Sequence, residues 1–164
     1  MTIDELMKIL DMQEEILQFS HFTNEDAWEL GNIIVAEVKK RGLSAAVTIR
    51  LHNGCTVFQY AGDGITPYNE EWLRRKINTV QMTQRSSLNL YLALSQSKDT
   101  LQGMLLEPRD YAACGGGFPI RVEEVGVIGG IAVTGPDHVT AHDLMIKGIG
   151  KYLHVDEVPR IRTV

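Results

Sequence analysis

The chain has 164 residues, of which 44% are hydrophobic and 23% charged, with a net charge of −5. That is enough apolar material for one domain with its own core, and the acidic balance argues against a sequence-independent nucleic-acid binder, which is usually basic. There is no apolar run long enough to span a membrane, and the start MTIDELMKIL lacks the basic head and apolar centre of a secretion signal, so the expectation is a cytoplasmic protein.

Thr2 and Glu5 fit a capping box, and Ile3, Leu6, Met7, Leu10 and Leu17 fall on one stripe, which predicts a first helix over about 3–18. Thr23 and Asp26 open a second helix running to Gly42, apolar over most of its circumference and therefore buried on more than one side. AAVTIRLH and CTVFQYA flank Asn53-Gly54, which predicts a hairpin over 45–60 closed by a two-residue turn with positive φ. GDGITP is loop. Asn69 is the expected cap of a third helix through WLRRKINTVQMTQ, with Glu70 and Glu71 in its first turn.

From Ser86-Ser87 the segment 88–94 alternates like a strand yet also suits a buried helix; the double serine favours the helix. A second hairpin follows over 118–123 and 126–134, and Thr140 with Asp143 opens a last helix to about Leu153. Two hairpins and an optional edge strand among five helices make an α+β domain with a mainly antiparallel sheet.

The glycines at 115–117 precede a strand, whereas dinucleotide and P-loop sites need strand, glycines, then helix. They can form a concave anion site, or serve only a close backbone approach. Pro119 suits a strand start, and Gly129 with Gly130 leaves a side-chain gap for a bulge, a packed backbone or a ligand. On a helical wheel Trp72, Leu73, Ile77 and Val80 cover an arc of about 140°, and Lys76 falls inside it. Either Lys76 reaches an anionic ligand or a carboxylate, or its stem packs while the amine escapes to water. Arg74 and Arg75 flank the arc and suit surface or interface pairing.

The cysteines, Cys55 and Cys114, lie far apart without a CxxC pair and read as reduced, buried thiols. Among His21, His52, His138, His142 and His154 no metal motif emerges; Thr140 as a cap would put His138 outside the last helix. No nucleophile motif is present, and no acid–base pair follows from spacing, so whether the protein is an enzyme stays open.

The segments EWLRRKINTVQ, Ser86-Ser87, YAACGGGFPI and GVIGGIAVTG resemble an uncharacterised protein family grouped with the haem-degrading domain. That wider group includes haem-binding proteins of a redox-sensing system and the small protein of glycolate-utilisation loci. The resemblance runs over a core of residues 21–155 within one domain of 1–164, between an N-terminal helix (1–20) and a C-terminal tail (156–164). It implies a five-stranded antiparallel sheet flanked by helices, profilin- or PAS-like, and a homo-oligomer. Ala-His-Asp at 141–143 departs from the family's Asp-His order, and Cys114 is a further departure.

The expected function is binding of a small anionic ligand by Arg75, Lys76, Asn78, Gly115, Gly116, Gly117 and Phe118, with Trp72 and Arg74 at a subunit interface. Two alternatives stand beside it. One is a haem-binding or haem-degrading protein with a histidine or Cys114 as axial ligand. The other is an interaction or holding module that meets partners through its N-terminal helix. Neither a metal nor a nucleic-acid or membrane partner is expected.

Overall fold

A computed structural model describes residues 1–164. The chain runs α1 (Ile3–Ile16), α2 (Asn24–Lys40), β1 (Ala46–Leu51), β2 (Thr56–Ala61), α3 (Pro67–Thr83), α4 (Ser87–Ser97), β3 (Gly117–Val122), β4 (Gly126–Thr134) and α5 (His138–Leu153). No helix is long and apolar enough to cross a membrane.

The sheet has four strands in the order β2-β1-β4-β3, every pair antiparallel. The expected fifth strand is absent. In its place residues beside Phe19 run along the outer edge of β3, where Phe19 N–H donates to the Arg121 carbonyl and Glu123 N–H to the Phe19 carbonyl. The stretch between α1 and α2 forms only this one bridge.

One sheet face carries the main core. Val47, Ile49, Phe118, Ile120, Ile131 and Val133 pack there against Leu30 and Ile34 of α2 and Leu144, Met145 and Ile149 of α5. The other face meets α3, through Ala46, Ala132, Leu73 and Ile77. Gly130 explains part of that close fit: a Cβ built on it would stand 3.2 Å from Val80 Cγ1 and 3.3 Å from Ile77 Cδ1. Of the three readings for this glycine, the packed backbone holds. The apolar stripe of α1 is covered within the chain, with Leu6 and Leu10 against Leu88, Leu92, Val139 and Ile161.

Several boundaries differ from expectation for local reasons. The first hairpin turns over 52–55, not over two residues; Gly54 takes a positive φ of +94° but Asn53 does not. The wider loop goes with a register slip between Ile49 and Arg50 that leaves Val57 unpaired. Thr66, not Asn69, caps α3, because Asn69 serves as the third helical residue of a capping box and Pro67 tolerates the first turn. Segment 88–94 is helical, capped by Ser86. Asp137, not Thr140, caps α5 by accepting from the Thr140 amide, so His138 lies inside the helix.

Candidate functional site

Lys76 sits on α3 where the helix crosses β3 and β4. It is 3% exposed, and its Nζ donates to the Val133 carbonyl at 2.9 Å. That is its only hydrogen bond, and it forms no salt bridge. Burial pushes its ammonium below the ordinary lysine value; Cys114 opposes that shift and the Arg75 guanidinium adds to it.

The glycine loop wraps this amine. A Cβ on Gly116 would lie 2.6 Å from Lys76 Nζ and 2.5 Å from the Val133 carbonyl oxygen, and the residue has a φ of +120°, so both sterics and backbone require glycine. Its carbonyl accepts from Val133 N–H at 2.7 Å, while its own N–H meets no protein acceptor. The flanking amides are committed: Gly115 N–H donates to His138 Nδ1 at 2.9 Å and Gly117 N–H to Ser87 Oγ at 2.8 Å. Accepting at Nδ1 fixes the neutral His138 ring with its proton on Nε2. The His138 ring stacks edge-on to Tyr91 at 4.8 Å.

Cys114 is partly buried just before the loop. Burial pushes its thiol up, against the pull of Lys76 and Arg75. His138 is pushed down by burial and by Lys76, with Asp137 opposing. Lys76 and Gly116 are both buried, whereas Cys114, Arg75, His138 and Tyr91 are partly exposed.

The remaining expected site residues do different work. Asn78 Nδ2 donates to the Asp110 carbonyl at 2.9 Å and Arg75 Nε to the Tyr111 carbonyl at 3.2 Å. Thr79 Oγ1 donates to the Ala112 carbonyl and accepts from its amide. One face of α3 thereby pins residues 109–112 and fixes the approach to the glycines. Phe118 points to the opposite sheet face, 1% exposed and 6.0 Å from the His142 ring, as strand alternation requires once Gly117 faces α3. Arg74 joins Glu71 at 2.8 Å and Asp110 at 3.1 Å, and the Arg75 guanidinium lies 3.8 Å over the Trp72 ring.

Sequence reasoning missed the part of His138 beside the loop, because the misplaced helix start set it outside α5. It also missed a cleft of ≈ 570 Å³ between α5 and the C-terminal segment. Ile146, Val155 and Val158 give it apolar walls, and Lys147, Lys151, His154 and Arg160 are its basic lining. Lys147 and Lys151, four apart on a helix, were the available signal; the return of Arg160 was not. That return is held by Asp143, which binds Arg160 and Arg41 and whose carboxyl those partners keep below the usual range despite burial.

A model of the family described as "Haem degrading protein HbpS-like" matches residues 22–150. A UPF0303 protein of Yersinia enterocolitica is 36% identical over 156 residues, covering 93% of this chain and 91% of that protein. Among solved structures, Ybr137w superposes with a TM-score of 0.84 at 22% identity, over 93% of this chain and 94% of its own. A PduOC–heme complex superposes at 0.68 and 17% identity, over 86% and 99%. At these identities the solved structures show the fold.

Proposed function

This chain belongs to the family described as haem degrading protein HbpS-like, and we propose that it binds a small anionic molecule at Lys76 and the Gly115–Gly117 loop. The observation that carries this reading is the buried Lys76 ammonium, which has one carbonyl partner and no carboxylate. An unpaired buried charge is costly. An oxygen of a carboxylate or phosphate would accept from Nζ and from the free Gly116 N–H together, and charge-assisted hydrogen bonds of that kind are the stronger ones. Arg75 and Asn78 act by holding residues 110 and 111, and Phe118 by anchoring the strand from behind. The test is thermal unfolding with acetate and phosphate. At a hundredfold excess over Kd a ligand stabilises by about 2.7 kcal/mol, and Lys76→Met is expected to lose that response. An equal response in the variant overturns the assignment.

Haem is a second reading, supported by the family's description and by the PduOC–heme neighbour. The cleft between α5 and the C-terminal segment has a fitting donor set. His154 makes no side-chain hydrogen bond and would hold the iron; Lys147, Lys151 and Arg160 would pair the propionates; Ile146, Val155 and Val158 would meet the macrocycle. Bound haem supplies iron redox chemistry. This chain's residues bind and orient it, and Lys151 and Arg160 do so while held by Glu37 and Asp143. Titration with haemin is expected to give a Soret shift that His154→Ala removes; no shift in the wild type overturns this reading.

Self-association through α3, where Tyr68 is 70% exposed and lies edge-on to Trp72 and where Arg74 stands on another flank, completes the proposal. Mass photometry of the wild type and of Trp72→Ala reads it directly.

A further inference from the structure

Helix α3 rests on β3 and β4 and leaves the sheet before it reaches β2, so a cleft of ≈ 340 Å³ opens between the helix and the uncovered part of β1 and β2. That volume lies at the small end of ligand pockets, which run from roughly 300 to 1,000 Å³. Thr48, Arg50, Thr56 and Gln59 line its floor. They stand together because the register pairs Thr48 with Gln59 and Arg50 with Thr56, and strand alternation turns them away from the core face of Ile49 and Phe58. Glu70, Leu73 and Ile77 belong to the helical wall. On β4 the partner of Arg50 is Gly130, which lies under Val80 and Ile77, so Arg50 marks the place where the helix lifts off the sheet.

Two cations and two anions line this cleft. Arg74 and Glu71 pair with each other at 2.8 Å, and Arg74 also holds Asp110. Arg50 and Glu70 are left over: neither side chain has a hydrogen-bond or ion-pair partner, and they do not pair with each other. A lone anion on Arg50 would meet the charge of Glu70, and a lone cation on Glu70 would meet that of Arg50. A molecule carrying both charges answers both groups.

We propose that this cleft binds a free aliphatic α-amino acid, its carboxylate on Arg50 and its ammonium on Glu70. The guanidinium presents a fork of donors that matches a carboxylate, and such charge-assisted bonds are the stronger ones. The side-chain amide of Gln59 and the hydroxyl of Thr56, also without partners, are further groups for the carboxylate oxygens. Leu73 and Ile77 supply the apolar surface that an aliphatic side chain needs. This site is separate from Lys76 and does not depend on the anion reading.

The test is isothermal titration of the intact chain with L-leucine, with 4-methylpentanoate, which lacks its ammonium, and with isopentylamine, which lacks its carboxylate. Leucine should give saturable heat, and each analogue should bind weaker by about tenfold or more. In Arg50→Gln leucine should bind no better than isopentylamine, and in Glu70→Gln no better than 4-methylpentanoate, while both variants keep the unfolding temperature of the wild type. A merely structural role for either residue would not produce that reciprocal loss. No heat with leucine, equal binding of 4-methylpentanoate by the wild type, or unchanged leucine affinity in both variants overturns the proposal. So does leucine binding that Lys76→Met abolishes, since the ligand then belongs to the other site. Leucine binding that survives Lys76→Met supports this cleft even where acetate and phosphate fail to stabilise the chain.

Discussion

His142 Nε2 of α5 lies 2.8 Å from Gln13 Oε1 of α1, and both residues are fully buried. The amide nitrogen of Gln13 is spent on the Pro159 carbonyl at 2.7 Å, so its oxygen faces the ring, and the ring carries its proton on Nε2. Nδ1 has no partner. This contact joins three parts of the chain that lie far apart in sequence: α1, α5 and the C-terminal segment.

Protonating that ring should weaken the fold. Burial pushes His142 down to about 4, with Asp143 opposing. The folded value is below the unfolded one, so stability is fully present above about pH 6.5 and is lost as pH falls toward 4, by up to roughly 3 kcal/mol. His52 and His138 are also pushed down and act in the same direction, while the raised carboxyl of Glu14 acts against it. Urea unfolding between pH 7 and pH 4.5 should therefore show a shallower pH slope in His142→Gln than in the wild type. An unchanged slope refutes this.

Ser87→Ala should loosen the glycine loop. Ser87 Oγ is the acceptor for the buried Gly117 amide, and leaving such a donor unsatisfied costs about 1–3 kcal/mol. Hydrogen exchange should report faster exchange at Gly117 than at the amides of β1. Unaltered protection at Gly117 would mean the serine has no such part.

Gly129→Ala should destabilise through overpacking. A Cβ there would stand 2.6 Å from the Arg50 carbonyl oxygen and 3.1 Å from Leu51 Cα, both backbone atoms of the paired strand. The expected loss is about 1–3 kcal/mol, measured by urea unfolding. A variant as stable as the wild type would show that β1 and β4 can part there at little cost.

Asp143→Asn should release the C-terminal segment. The carboxylate binds Arg41 and Arg160, both partly exposed, so the loss should fall near roughly 2–3 kcal/mol, below that of a fully buried pair. Limited proteolysis should cut within residues 155–164 sooner than in the wild type. Equal cleavage rates would show that other contacts hold the segment.

Much of this architecture was legible in the sequence because it depends on neighbours. The Thr2–Glu5 and Thr23–Asp26 boxes mark the starts of α1 and α2, and both hairpins lie where alternation and glycine suggest. The wheel places Lys76 on the packed face of α3, and the structure brings it to Gly116. What was not legible depends on distant partners. Nothing in Asn78 or Thr79 says that residues 110 and 112 will return to them. The fifth strand failed because residues before α2 form only one bridge to β3. Phe118 beside the glycines suggested a shared site, yet a strand turns neighbouring side chains to opposite faces. The start of α5 was misjudged because Asp137 and Thr140 both look like caps, and only the Thr140 amide distinguishes them.

The bridge at Phe19 also makes the two rims of the sheet unequal. Beyond β3 the backbone donors and acceptors are already answered in part by the chain itself, whereas β2 has a strand neighbour on one side only. Growth by strand addition therefore has one direction open to it. If two copies joined there about a two-fold axis, each would use up the other's free rim, and the continuous sheet would stop at eight strands instead of propagating into a fibre.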